Sequence, residues 1–94
     1  MVDWLVERRL RQNSDRLRRL REELLVIDEQ LDHLSDDAAD KELRALVAET
    51  PVAASEFRDA QLHANAMARH RVHLVDSIVE LERRQDELLD RLGT

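Results

Sequence analysis

The stretch RRLREELLVIDEQLDHL, residues 18–34, sets Leu20, Leu24, Ile27, Leu31 and Leu34 at alternating steps of four and three inside a dense run of charge. That period keeps one stripe of a helix apolar and leaves the rest to water. Carried back through Leu17, Asn13 and Leu10, the steps form an a/d heptad with Asn13 as its only polar member, the pattern of a coiled-coil strand. Leu25 and Val26 lie off this stripe and call for a second neighbour. Asp3 is suited to an N-cap, and Ser35, Asp36 and Asp37 are residue types that favour caps. The first helix is therefore expected over about 4–34.

Working outward, Ser35–Asp37 would cap a short second helix at about 37–49, with Ala39, Leu43, Leu46 and Val47 on one side. Thr50 before Pro51 is a favoured helix start, because proline fixes φ and its missing N–H is not needed in the first turn. A third helix is expected over about 51–92. Its 3–4 seam runs Phe57, Ala60, Ala64, Met67, Arg71, Leu74, Ile78, Leu81, Gln85, Leu88 and Leu92, with Val72, Val75, Val79 and Leu89 beside it. This apolar face is wider than a single hairpin covers. The expected fold is thus one all-α domain over 1–94: long, short and long helices in an antiparallel coiled-coil hairpin or bundle, completed by homodimerisation. The first helix would offer Leu10, Leu17, Leu20, Leu24, Leu25, Val26 and Ile27 to the oligomer interface. The third would offer Leu74, Val75, Ile78, Val79, Leu81 and Leu88. Asn13, Arg71 and Gln85 either set register within the seam or mark where it meets solvent.

Composition agrees with long helices. Charged residues make up 38 % of the chain and aromatics 2 %, with one glycine and one proline. The chain has no cysteine, which excludes disulfides and thiol chemistry. No segment has the ~18 consecutive apolar residues of a membrane span, and no cationic region precedes an apolar run at the start, so a cytoplasmic protein is expected.

The charge is uneven. Residues 1–21 hold seven arginines against three acids, a net of +4, and residues 22–56 hold eleven acids against Lys41 and Arg44, a net of −9. The basic arm could reach phosphates. It has no interleaved aromatics, however, and the chain as a whole carries −6, which disfavours nucleic acid as a partner. Arg9 and Arg16 at g positions and Arg21 at an e position suit salt bridges to a partner helix instead. The acids Asp36, Asp37 and Asp40 would form an acidic tip between the first two helices. In outline that tip resembles the coiled-coil fingers that enter the secondary channel of bacterial RNA polymerase, though the globular domain anchoring those factors has no counterpart here.

Catalytic chemistry finds little footing. His70, His73 and Asp76 are spaced along one side of a helix, but no HExxH or paired ExxH pattern completes a metal site. None of the serines sits in a nucleophile elbow, and a single glycine allows no phosphate loop. LREELLVIDEQLDHL, residues 20–34, resembles the first helix of the all-helical chorismate mutases. That resemblance implies a substrate-carboxylate role for Arg21 and a catalytic polar side chain near Gln85. Where the family carries further cations, this chain reads SDDAADKELRALVAE, which is acidic and would repel a dianion. The chain matches the secreted WxG helical hairpins in size but has no glycine at the turn. RLRRLREELLVIDEQL and VELERRQDELLDRL resemble the small arginine- and alanine-rich coiled-coil proteins of actinobacteria. The expectation is a non-catalytic scaffold or adaptor with no cofactor and no metal. It would bind itself and another protein, with Trp4, Asp36, Asp37 and Asp40 as the surface a partner reads.

Overall fold

A computed structural model describes residues 3–93. The protein is an all-α helical hairpin of two long helices, α1 (Asp3–Ala48) and α2 (Pro51–Gly93), and no strand occurs among the described residues. The chain divides into two compact units. One holds residues 3–24 with 73–93, and the other holds residues 25–72. In each unit a segment of α1 packs against a segment of α2.

The short second helix is a correction. α1 runs unbroken through Ser35, Asp36 and Asp37. The seam itself continues there: four-three steps beyond Leu34 reach Ala38, Lys41 and Ala45, which are buried, half-buried and half-buried. Asp36 and Asp37, which suggested a cap, are exposed helix residues; i,i+4 pairs join Asp37 to Lys41 (3.1 Å) and, further along, Asp40 to Arg44 (2.9 Å). The stripe read on one side of that helix, Ala39, Leu43, Leu46 and Val47, is exposed on α1.

The turn falls at Glu49 and Thr50. Glu49 takes the left-handed conformation (φ 54°), and its amide donates to the Ala45 carbonyl at 3.1 Å, closing the last turn of α1. The Thr50 hydroxyl accepts from the Ala53 amide (3.2 Å), and its carbonyl accepts from Ala54 (3.1 Å). Thr50 thus caps α2, with Pro51 at the first helical position. At the other end Arg91 lies in the last turn, where a cation complements the helix dipole.

In the unit of residues 25–72, the packed stripe contains Ile27, Ala38, Ala60 and Ala64, all buried. Alanine on both helices lets backbones approach where leucine would hold them apart. Arg71 occupies a seam position, and its Nε donates to the Asp28 carboxylate of α1; that bond raises the Arg71 pKa further above its ordinary value. In the other unit the core is Leu17, Leu74, Ile78, Leu81 and Leu88, with Asn13 buried among them at 8 % exposure. The Asn13 Nδ2 donates to the Leu81 carbonyl and to the Gln85 Oε1, each at 2.9 Å. The Gln85 Nε2 donates in turn to the Ser14 hydroxyl at 2.8 Å. No buried side-chain polar atom among the described residues is left without a partner.

Candidate functional site

The positions assigned to an oligomer interface divide into two sets. Leu17, Ile27, Leu74, Ile78, Leu81 and Leu88 are buried within the hairpin, and Leu10, Leu20, Leu24 and Val75 are half-buried. The six buried side chains pack within the hairpin itself, and the four half-buried ones keep part of their surface open. Leu25, Val26 and Val79 remain exposed. The remaining candidates also shift. Trp4 is 60 % exposed near the start of α1. Asp36, Asp37 and Asp40 lie along the body of α1 and not at a tip, because the turn comes at Glu49–Thr50.

Each helix of the hairpin buries one stripe and turns the other apolar side chains outward. In the unit of residues 25–72 the exposed set includes Leu25 (68 %), Val26, Leu43, Leu46, Val47 (79 %) and Leu62. A shallow, mostly apolar recess of about 350 Å³ lies between Leu34 of α1 and His63, Ala66, Met67 and His70 of α2. No group of three or more His, Asp or Glu among the described residues is placed to hold a metal ion.

The other unit carries the most distinctive polar feature, an open recess of about 410 Å³. Arg9 and Arg16 of α1 line it together with Arg84 and Arg91 of α2, above Asn13, Leu81 and Leu88. Among the described residues Glu87 is the one acid on the wall, and its carboxylate accepts from Arg83. Arg83 also donates to Glu80 at 2.6 Å. That hydrogen bond and the charge of Arg83 lower the Glu80 pKa, with a smaller contribution from Arg84. Arg9 and Arg16 form no ion pair among the described residues.

The sequence singled out Arg9 and Arg16 as flanking charges but missed their counterparts. The signal lay in the register: with Asn13 beside Gln85, the helical positions flanking the seam on this side are Arg on both helices. Arg21, across on the other flank, pairs with Glu82 at 3.6 Å, and Gln85 is engaged by Asn13 and Ser14. No helix among the described residues is long and apolar enough to cross a membrane. No protein-family model, curated protein or solved structure matches this chain.

Proposed function

We propose that this chain is a non-catalytic helical interaction module that self-associates and serves as a scaffold or adaptor for another protein. The observation that carries this reading is the outward apolar surface of residues 25–72. Leu25, Val26, Leu43, Leu46 and Val47 are each more than half exposed on α1 alone. Single exposed hydrophobics are ordinary, but several on one helix of a thin hairpin mark a surface that another chain covers.

The core supports the same reading. Among the described residues nine hydrophobic ones are buried, three of them alanine, and no large side chain is wholly enclosed. Two helices packed on each other form a single apolar layer, and further helices packed on this pair would supply a second. Self-association into a bundle supplies that layer, and Trp4, exposed beside Leu5, offers an aromatic anchor for a different protein. The cytoplasmic location expected from the sequence belongs to this reading.

Sedimentation velocity over a micromolar concentration series tests it. Association that grows with concentration and weakens on Leu25→Ala plus Val26→Ala supports the module. A monomer throughout removes the basis for it.

A further inference from the structure

Two segments of α1, one in each compact unit, carry outward stripes that mirror each other. In the first, Trp4, Leu5, Arg8, Arg11, Asp15 and Arg19 are exposed and spaced by helical turns on the side away from buried Asn13 and Leu17. In the second, Asp32, Asp36, Asp40, Leu43, Leu46 and Val47 are exposed on the side away from buried Ala38. The first stripe runs from apolar to basic, and the second from acidic to apolar. Residues 4–19 hold six arginines against two acids, a net of +4, and residues 32–47 hold five acids against Lys41 and Arg44, a net of −3.

Read in opposite directions, the two stripes have the same spacing. An antiparallel alignment sets Trp4 and Leu5 against Val47 and Leu46, Arg11 against Asp40, and Arg19 against Asp32. Arg8 then lies on Leu43, which the methylene stem of an arginine can cover. Asp15 and Asp36 form the one like-charged meeting, and Asp15 already holds Arg18 at 3.3 Å. Asp40 pairs with Arg44 at 2.9 Å in an exposed bridge that leaves its carboxylate open to a second cation. A parallel alignment of the same segments would put Trp4 and Leu5 on Asp32 and His33, and Arg18 and Arg19 on Leu46 and Val47. Only the antiparallel one lays apolar on apolar and cation on acid.

We infer that the outward side of residues 4–19 of one copy docks antiparallel on the outward side of residues 32–47 of a second copy. The inference rests on the self-association proposed above and names the contact that makes it. Each segment lies within one compact unit, so each side of the contact is a single stretch of helix, about 22 Å long at 1.5 Å per residue. Opposite charges fix register and direction, and the apolar ends supply the buried area. Trp4 borders this contact, so a different protein anchored on it competes with the second copy. A nucleic-acid backbone would answer the basic segment alone, leaving Leu43, Leu46 and Val47 uncovered, and the net charge of −6 opposes it.

Two full-length variants test the assignment. One carries Arg11→Glu and Arg19→Glu, the other Asp32→Arg and Asp40→Arg, with circular dichroism to confirm that each remains helical. In sedimentation velocity each alone should self-associate at least about tenfold more weakly than the unaltered chain, a change of 1.4 kcal/mol. Their equimolar mixture should recover association, because the reversed segment of one then meets the reversed segment of the other. Should a variant fail to fold, cross-linking decides, since the chain has no cysteine of its own. Leu5→Cys mixed with Leu46→Cys should give mainly the mixed disulfide on oxidation, whereas Leu5→Cys mixed with His33→Cys, the parallel neighbour, should not. If both reversal variants associate like the unaltered chain, or the Leu5 and Leu46 cysteines do not cross-link, this contact is wrong and self-association stands without it. An unaltered chain that stays monomeric at low salt overturns both readings. Binding of a labelled single-stranded RNA, lost on Arg11→Glu and Arg19→Glu while self-association persists, would assign the basic segment to nucleic acid and overturn the inference.

Discussion

Asn13 is the polar residue most deeply set in the hairpin, and its replacement tests how the seam is balanced. In the unaltered chain its amide donates to the Leu81 carbonyl and the Gln85 side chain. Asn13→Leu removes both bonds, each worth about 0.5–1.5 kcal/mol net. The Leu81 carbonyl keeps its bond within α2, and Gln85, half-buried and already bonded to Ser14, can turn its oxygen to water. No buried acceptor is orphaned. Burying leucine at a site only 8 % exposed contributes about 1.5–3 kcal/mol. The loss of about 1–3 kcal/mol and the gain of about 1.5–3 kcal/mol nearly cancel, so Asn13→Leu is expected within about 1 kcal/mol of the unaltered chain, a Tm shift of no more than roughly 4–8 °C for a domain of this size. Asn13→Ala loses the same bonds without the apolar gain and should fall by about 1–3 kcal/mol. Thermal unfolding followed by circular dichroism, at one fixed protein concentration, should place Leu and Asn close together with Ala below both. A leucine variant that melts as low as the alanine variant would refute the reasoning, since the apolar contact would then offset none of the lost hydrogen bonding.

Three further outcomes follow from particular residues. Ile27→Ala, in the seam at 3 % exposure, should lose about 2–4 kcal/mol in chemical denaturation, whereas Leu25→Ala should stay within about 0.5 kcal/mol at dilutions where the chain is monomeric. Glu49→Gly should raise Tm, because Glu49 sits at positive φ and glycine takes that conformation without the Cβ clash; a gain of about 0.5–1 kcal/mol is expected, and a loss would mean the Glu49 side chain is needed at the turn. Glu80 is held below its ordinary pKa by Arg83, so its contribution is present above the unfolded value of about 4.3 and is lost as pH falls through the lowered folded value. Glu80→Gln should therefore shrink the acid-side drop in Tm, measured from neutral pH downward.

The parts of this fold that could be read from sequence are those where the 3–4 spacing is filled with large apolar residues. Every seam position named on α2, from Phe57 to Leu92, is buried or half-buried, as are Leu10 to Leu34 on α1. Beyond Leu34 the seam passes to Ala38, Lys41 and Ala45, which carry little hydrophobic signal. Leu43, Leu46 and Val47 carry a strong one on the exposed face. Ser35, Asp36 and Asp37 then suggested a cap because their intrinsic preference is for helix ends, yet i,i+4 pairs to Lys41 and Arg44 hold the acids downstream within one helix. The arginine recess was hidden for a different reason. Which residues face each other across a hairpin depends on where the turn falls, and only the break at Glu49–Thr50 brings Arg84 and Arg91 to the recess that Arg9 and Arg16 line.

The account's central claim is that the apolar side chains turned outward from this hairpin are covered by a second copy. Sedimentation equilibrium of the full chain, from low to high micromolar concentration at low salt, tests that claim most directly. The account predicts an average mass that rises with concentration from the 11.0 kDa of one chain toward twice that value. A mass that stays at 11.0 kDa across the series would contradict it.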